Sequence, residues 1–521
     1  MRLSRLLEDA GIKVQARTDP DIRGVRTDSR KAGPGDLFLA LVGTRDDGSR
    51  YMEEALARGA AAVLSEAPAV AAKDAKDPKR AEIIAFPGLG SKVGSLFNAW
   101  YGRPAEDMEA VGVTGTNGKS TITKLTASML KAAGRKAVSL GTINYEIADE
   151  ILPSELTTPG PDDFFRMLRR GADAGCDALV MEVSSHALSQ GRIRGVTFSR
   201  AVFTNLTRDH LDYHRDFDDY YQAKKKLFTE YLRPGGMAVL NLDSPYGAQL
   251  ARELTCPRIT FSRSASRGGA EAAADVTLGD SRLSLSGTEF EATYRGASHR
   301  FHSRLIGGIN LENLLAAVTL GFSLGLDVGI ISRGIAEVTV DGRNQVFGLP
   351  GGAFAVVDYA HTPDALERVL ASLRPLTKGR LVCLFGCGGD RDRSKRPIMG
   401  SIAADLADRA FLTSDNPRTE EPGAILEEIL AGVADRARME VVPDRRLAIA
   451  TALDSLEDGD CLLVAGKGHE DYQVIGKEKR HFSDQEEILA WTGKNTDAGA
   501  DQGPQAGAGE GPKAGNGPQV G

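Results

Sequence analysis

The stretch GVTGTNGKSTITK (112–124) sets three glycines, then Lys119, Ser120 and Thr121, between a short apolar run and a helical one. That strand, loop and helix context is the setting of a phosphate-binding P-loop, with Gly112 and Gly118-Lys119-Ser120 read as its pattern. Backbone N–H groups of Gly115, Thr116, Asn117, Gly118 and Lys119 would cradle phosphate at the positive end of the helix. Lys119 would reach the terminal phosphates, and Ser120, with Thr121 beside it, would offer a hydroxyl to Mg2+. No base-reading NKxD motif accompanies the loop. A GTPase is therefore not expected, while kinases, motors and ligases stay open.

Downstream, DALVMEVSSHAL ends a strand in Glu182, followed by Ser184, Ser185 and His186. Glu182 emerges where an open sheet collects ligands and is a candidate hard oxygen ligand for Mg2+. The segment TNLTRDHLDYH packs Asp209, His210, Asp212 and His214 into six positions. His210 is a candidate second metal position, whereas Asp212 or His214 could cap the next helix. In YYQAKKKLF, Lys225 and Lys226 are expected on a solvated helix face, and Lys224 follows the small Ala223. Much further on, SDNPRTEEP contains Asp415-Asn416-Pro417-Arg418. Asn-Pro makes a turn, either a plain surface turn or one that aims Asp415 and Arg418 at a substrate.

These residues need a scaffold. At 521 residues the chain is too long for one core and fits roughly three domains of about 150 residues each. A charged fraction of 26% and a formal charge of −7 leave no basic excess for phosphate backbones, so no nucleic-acid partner is expected. The N-terminal MRLSRLLEDAG has Leu3, Leu6 and Leu7 at helical spacing, not the unbroken apolar core of a signal peptide. No run approaches the ~18 apolar residues of a membrane span. The five cysteines form no CxxC pair, which suits a reduced cytoplasm.

Strands such as DALVMEV, RAVFTNL, GMAVLNLD, GRLVCLFGCGG and CLLVAGKGHED alternate with helical stretches, the pattern of an α/β protein with parallel sheets covered on both faces. The expected domains are 1–107, 108–340 and 341–493, the second carrying a period-two antiparallel insert near 275–301. The charged stretch at 71–82 reads as a surface excursion. Residues 494–521 have almost no large apolar side chain and are expected to form a disordered tail.

Eight motifs stand in order through most of residues 110–490: GTNGKST, EVSSHAL, NLTRDHLDYH, YYQAKKKLF, GGINLENLLAA, DYAHTPDAL, GGDRDRSKRP and GKGHEDYQ. Together they resemble the Mur ligases, ATP-dependent enzymes that extend the peptide of the bacterial cell-wall precursor. The resemblance implies a uridine-nucleotide domain, a central P-loop ATPase domain and a C-terminal Rossmann-like domain. It implies that ATP phosphorylates a free D-glutamate carboxylate and that an incoming amine displaces phosphate from the acyl phosphate. One Mg2+ would then sit on Ser120 and Glu182, and another on His210 with a carbamylated Lys224 (N6-carboxylysine). TDSR (27–30), TTP (157–159) and DNPR are similar to the member that adds meso-2,6-diaminopimelate to UDP-N-acetylmuramoyl-L-alanyl-D-glutamate (UDP-MurNAc-L-Ala-D-Glu).

By the same resemblance, Thr27, Ser29, Thr157, Thr158, Ser184, Gln190 and Arg192 would contact the muramoyl-peptide nucleotide. Asn310 and Asn313 would lie near adenine, Arg343 and Asp358 near ribose, and His361 near the phosphates. Thr44-Arg45-Asp46 departs from the triplet expected at the uracil. Diaminopimelate differs from lysine by a second amino-acid end, whose carboxylate calls for the two-pronged donor that arginine provides. Arg418 and Arg391 meet that need, Asp415, with Asn416 and Pro417 in the same turn, and Glu470 could take the distal ammonium, and Gly466 would allow close backbone approach. A lysine-adding homologue, a folylpolyglutamate-synthase-like ligase and a nucleotide-gated binding module are the alternatives. A cytoplasmic monomer is expected.

Overall fold

The computed structural model describes residues 1–42, 47–67, 82–211, 213–264 and 273–500, with side chains to residue 494. Thr44-Arg45-Asp46, residues 71–81 of the charged excursion, Asp212 and residues 501–521 lie outside the described residues. The chain divides into two compact units, Met1–Asp341 and Gly342–Gly521. Among the described residues no helix is long and apolar enough to cross a membrane.

The first unit begins with α1 (Leu3–Asp9), whose Leu3, Leu6 and Leu7 are all buried, as their spacing predicts. β1 (Gly24–Arg26), β2 (Asp36–Ala40), α2 (Met52–Ala57), β3 (Ala62–Ser65), β4 (Glu82–Ala85) and α3 (Val93–Trp100) follow. The four strands form a parallel sheet in sequence order. Along β2 the two-residue period splits the side chains: Leu37 and Leu39 join the unit's large core, while Phe38 and Ala40 join a smaller one with Ala55 of α2.

The second sheet of this unit is built from β5 (Glu109–Thr114), α4 (Lys119–Ala132), β6 (Ala137–Leu140), β7 (Asn144–Ile147), β8 (Glu150–Pro153), α5 (Pro161–Asp173), β9 (Ala178–Glu182), α6 (Ser185–Gln190), β10 (Phe198–Phe203), α7 (Phe217–Thr229), β11 (Leu232–Asn241), α8 (Pro245–Glu253), β12 (Arg258–Ser262), β13 (Val276–Ser284), β14 (Gly287–Tyr294), β15 (Ala297–Ser303), α9 (Gly307–Ser323) and α10 (Val328–Ala336). Its eleven strands run β15-β14-β13-β12-β11-β10-β5-β9-β6-β7-β8. The centre is parallel, as the strand and helix alternation predicts. Val111 and Val113 face one core with Leu125 and Leu314, while Ala110 faces the other with Phe164 and Tyr220. Both faces are thus covered by helices.

The antiparallel insert is β13 to β15, but it continues the edge of the central sheet instead of standing apart. The opposite edge carries a second antiparallel hairpin, β7 and β8, which the strand and helix alternation did not reveal. It turns at Ala148, whose φ of 54° is a left-handed conformation that alanine does not signal in sequence.

The second unit contains β16 (Gln345–Gly348), β17 (Phe354–Asp358), α11 (Pro363–Leu373), β18 (Leu381–Phe385), α12 (Lys395–Leu406), β19 (Arg409–Leu412), α13 (Pro422–Leu430), β20 (Met439–Val441), α14 (Arg445–Asp454), β21 (Cys461–Ala465), β22 (Tyr472–Ile475), β23 (Glu478–His481) and α15 (Asp484–Ala500). Its sheet runs β16-β17-β21-β18-β19-β20, parallel apart from β16, and β22 pairs with β23 as a separate hairpin. The expected tail start is corrected here: α15 runs through residues 494–500 to Ala500. Once its first turns pack, with Ile488 fully buried, each added residue costs little.

Within the first unit, α3 packs on the chain after α6 with no spare room. A Cβ at Gly94 would lie 1.9 Å from the Arg194 carbonyl oxygen. Gly94→Ala is expected to lower stability by about 1–3 kcal/mol, the cost of overpacking, in urea unfolding. Gly423→Ala in α13, where nothing lies within 4 Å of the new Cβ, should leave stability unchanged or raise it.

Candidate active site

The glycine loop follows β5, and its sequence reading needs one correction. Five residues (113–117) separate Gly112 from Gly118, one more than the four of the GxxxxGK[ST] pattern. Gly112 belongs to β5, where a Cβ would meet the Phe198 ring at 3.1 Å, so its smallness serves packing. The loop proper is 115–120, with Gly115 at φ 148° and Gly118 at φ 88° immediately before α4. A Cβ at Gly115 would fall 1.8 Å from Thr204 Oγ1, and one at Gly118 would fall 2.3 Å from Asn313 Oδ1. Only glycine satisfies both the backbone angle and the space.

The segment after β10 braces this loop. Asn205 accepts from the Thr116 N–H at its carbonyl and from the Asn117 N–H at its Oδ1, both at 2.9 Å. Thr204 Oγ1 donates to the Asn117 carbonyl at 2.6 Å. Lys119 Nζ donates to the carbonyls of Gly115 (3.1 Å) and Thr116 (2.8 Å). Lys224, from α7, donates to the same Gly115 carbonyl at 2.8 Å and is 1% exposed, with its Nζ 4.5 Å from the centre of the Tyr220 ring. Burial lowers the Lys224 pKa well below its ordinary value, and the nearby Lys119 charge adds to this while Asp209 opposes it. Lys225 instead pairs with Glu253 at 2.8 Å.

His210 sits at φ 54°, its ring 4.9 Å from that of His186 and 6.0 Å from that of Tyr220. Lys224 and His210 therefore both lie close to Tyr220. His214 does not cap α7; Asp216 does, accepting from the Asp219 N–H at 2.8 Å. His214 is buried between Ser185 Oγ (2.9 Å from Nε2) and Asp219 Oδ2 (3.3 Å from Nδ1), which ties this segment to the start of α6.

Glu182 ends β9, fully buried, and accepts from the Thr142 N–H at 2.7 Å and the Thr142 hydroxyl at 3.1 Å. Ser120 and Glu182 line one pocket, together with Ser139, Gly141, Thr339 and Asp341. Thr142 Oγ1 lies 3.0 Å from Thr157 Oγ1, and Thr158 Oγ1 bridges the Glu182 carbonyl (2.8 Å) and the Ser184 N–H (3.1 Å). Arg192 donates to the Thr158 carbonyl (3.1 Å) and to Gln190 Oε1 (2.8 Å), while Gln190 donates to the Tyr213 hydroxyl (3.4 Å). Thr157, Thr158, Ser184, Gln190 and Arg192 thus belong to one hydrogen-bond network that includes Thr142 and Glu182. Sequence reasoning missed Thr142, whose signal was its place just after a strand end. Ser29 is buried against α2, its hydroxyl donating to Glu54 at 2.7 Å, and Thr27 is exposed beside it. Asn310 and Asn313 are buried and bonded to each other at 3.2 Å, with Asn313 against the glycine loop itself.

In the second unit, Asp358 ends β17 and accepts from the Asn344 N–H at 2.8 Å. Burial raises its pKa, and Arg343 opposes the rise. The Arg343 guanidinium lies 4.8 Å from the Tyr359 ring centre, and His361 Nδ1 is 2.8 Å from the Tyr359 carbonyl. Arg343, Asp358 and His361 therefore meet around Tyr359.

The DNPR turn follows β19 and is strapped to β22. The Arg418 N–H donates to the Val474 carbonyl (3.0 Å), the Val474 N–H to Asn416 Oδ1 (2.9 Å) and Gln473 Nε2 to the Asp415 carbonyl (2.7 Å). Arg418, at φ 52°, donates through NH1 to the Gly389 carbonyl at 2.7 Å, while Arg391 is exposed. Asn416 Nδ2 donates to Glu470 at 3.0 Å. Gly466 is required by its φ of 113°, since a Cβ there would stand 3.4 Å from Asp415 Oδ2, an ordinary contact. Asp358, Gly388, Asp415 and Gly466 all lie at carboxyl ends of parallel strands, where open α/β sheets bind ligands.

Comparison with known proteins matches three family models: "Mur ligase family, catalytic domain" over residues 21–96, "Mur ligase middle domain" over 113–321 and "Mur ligase, glutamate ligase domain" over 342–468. The UDP-N-acetylmuramoyl-L-alanyl-D-glutamate–2,6-diaminopimelate ligase of Synechococcus elongatus is 43% identical over 496 residues, covering 94% of this chain and 98% of its own. The enzyme of the same name from Gloeobacter violaceus is 42% identical, covering 96% and 99%. A solved structure bearing that name superposes with a TM-score of 0.71 at 32% identity, covering 95% of this chain and 100% of its own.

The depressed pKa of Lys224 has a measurable sign. Between that lowered value and the unfolded value of about 10.4, the unfolded chain binds the proton that the folded chain has released. Stability therefore rises with pH through that window. The stability excess of Lys224→Met over the wild type, measured by urea unfolding in bicarbonate-free buffer, should shrink as the pH is raised from about 7 towards 10. A pH-independent excess would contradict the buried amine.

Proposed function

Because the chain belongs to the Mur ligase family, and so is an ATP-dependent ligase, we propose that it joins meso-2,6-diaminopimelate to the free D-glutamate carboxylate of UDP-MurNAc-L-Ala-D-Glu, in cytoplasmic peptidoglycan precursor synthesis. Near full-length relatives at 42–43% identity carry that activity in their names, which supports this substrate over a folyl substrate. One observation carries the choice over lysine: the turn 415–418 places an aspartate and an arginine on one short backbone segment strapped to β22. A zwitterionic end needs both charges, and a lone ammonium needs one.

In this reading the three domains are 1–107, 108–340 and 341–493, and the chain acts as a monomer. On the first unit, the loop 115–121 binds the ATP phosphates, Lys119 turns from its own loop carbonyls to the terminal phosphates, and Asn310 and Asn313 fix the loop's far side. On the second unit, Arg343, Asp358 and His361, gathered about Tyr359, are the ATP-facing group. Thr157, Thr158, Ser184, Gln190 and Arg192, with Thr27 and Ser29, hold the muramoyl dipeptide. Arg391, Asp415, Asn416, Pro417, Arg418, Gly466 and Glu470 hold diaminopimelate.

Ser120 and Glu182 offer hydroxyl and carboxylate oxygens to one pocket, a donor set that fits Mg2+. Lys224 as an amine does not suit Mg2+; as a carbamate it would, its neutral amine is the form that adds CO2, and His210, which also lies near Tyr220, would be the other ligand. Bound Mg2+ would offset the repulsion between carboxylate and phosphate oxygens. The glutamate oxygen attacks the γ-phosphorus of ATP and ADP leaves. The diaminopimelate amine then attacks the acyl carbon, loses a proton and expels phosphate, giving the amide. The backbone N–H groups of the loop and Lys119 stabilise the negative charge that these steps gather.

Phosphate release with UDP-MurNAc-L-Ala-D-Glu and ATP should depend on meso-diaminopimelate and proceed poorly with L-lysine. Arg418→Ala should raise KM for diaminopimelate about thirtyfold, the equivalent of losing about 2 kcal/mol of charged hydrogen bonds. Lys224→Ala should abolish turnover while ATP still binds, whereas a nucleotide-gated binding module would keep its function. Turnover with L-lysine but not diaminopimelate would refute the substrate assignment.

A further inference from the structure

A buried lysine that the reaction above does not use stands inside the same turn. Lys467 stands two residues after the end of β21 and is 0% exposed. Its Nζ lies 3.5 Å from Asp415 Oδ1, 3.6 Å from Glu470 Oε2 and 3.4 Å from Asn416 Oδ1, and 5.7 Å from the centre of the Tyr472 ring. Both carboxylates assigned to the distal ammonium therefore already face a cation of the protein. An ammonium withdrawn fully from water is retained only where it is paired. Here two carboxylates share one lysine.

The charges around the pocket then balance. Among the buried and half-buried side chains, Asp415 and Glu470 contribute two negative charges and Lys467 and Arg418 two positive ones, while Arg391 is exposed and its charge is screened by water. The neighbouring buried pair Arg445 and Asp484, joined by two bonds of 2.7 Å, adds one of each sign. A zwitterionic end enters such a pocket without changing its net charge. A side chain ending in ammonium alone would leave one uncompensated positive charge in a poorly solvated place.

We propose that Lys467 is a specificity-determining residue, whose ammonium cancels one carboxylate of the Asp415 and Glu470 pair and so excludes amino acids with a purely cationic distal end. The proposal rests on the diaminopimelate reading above. Removing the Lys467 charge leaves the pocket one negative charge in excess, which suits lysine. Removing the Glu470 charge leaves one positive charge in excess, which repels lysine further. The two substitutions thus push discrimination in opposite directions, whereas a lysine that merely props its neighbours predicts the same direction for both.

The test is kcat/KM for meso-diaminopimelate and for L-lysine, by phosphate release from the full chain with ATP and UDP-MurNAc-L-Ala-D-Glu. Lys467→Met should lower the diaminopimelate-to-lysine ratio at least tenfold, mainly through KM, Lys467→Arg should keep it near the wild-type value, and Glu470→Gln should raise it. If Lys467→Met does not fold, the sign of the Glu470→Gln shift decides alone. Ratios unchanged within twofold, or moved in the same direction by both substitutions, overturn the role of Lys467 while leaving the substrate assignment intact. A wild type that prefers L-lysine overturns the assignment itself, and the role of Lys467 with it.

Discussion

Two lysine nitrogens converge on one carbonyl oxygen, that of Gly115, and the glycine loop of the first unit is held by this contact. Lys119 comes from the start of α4 and Lys224 from the middle of α7, so the contact ties the helices flanking β5 to the loop between them. A lysine at 1% exposure that donates to a backbone carbonyl is a costly thing to bury. The cost is limited because burial and the Lys119 charge push the amine towards its neutral form.

The second unit uses buried guanidinium groups for a comparable purpose. Arg445 is fully buried, bonds Asp484 twice, and also donates to the carbonyls of Ser414 (3.4 Å) and Ala465 (3.0 Å). Those carbonyls immediately precede the 415–418 turn and Gly466, so one side chain sets the spacing of two site segments. Arg396 does likewise for the loop after β18: it bonds Glu420 through both terminal nitrogens at 2.9 Å and the Gly388 carbonyl at 3.1 Å. Its hydrogen bonds hold the Glu420 carboxyl down at about 2. Arginine suits both places because its planar fork satisfies several acceptors at once.

Much of this was legible in advance because strand and helix periodicity, glycine loops and short polar motifs are local properties. The strands from β9 to β11, the helix after the glycine loop and the antiparallel insert all stand where patterning puts them. The misses share a cause. The β7 and β8 hairpin turns at an alanine, His214 is sandwiched between Ser185 and Asp219 where a helix cap was a possible reading, and α15 continues into a stretch of tail-like composition. None of the three is signalled by the local residue types, and for His214 a contact from a distant segment decides.

The sequence by itself determined the α/β class, the phosphate-binding loop and the family, since these depend on residue type and order. It could also pair a carboxylate with a guanidinium across Asp415 to Arg418, because four consecutive residues need no fold to be neighbours. Only the tertiary structure decided that Thr142 clasps Glu182, that Lys119 and Lys224 share a carbonyl, and that Lys467 lies between Asp415 and Glu470. Those contacts join segments up to 109 residues apart. Their energies depend on distance and on exclusion of water, and neither is a property of the sequence until the chain has closed around them.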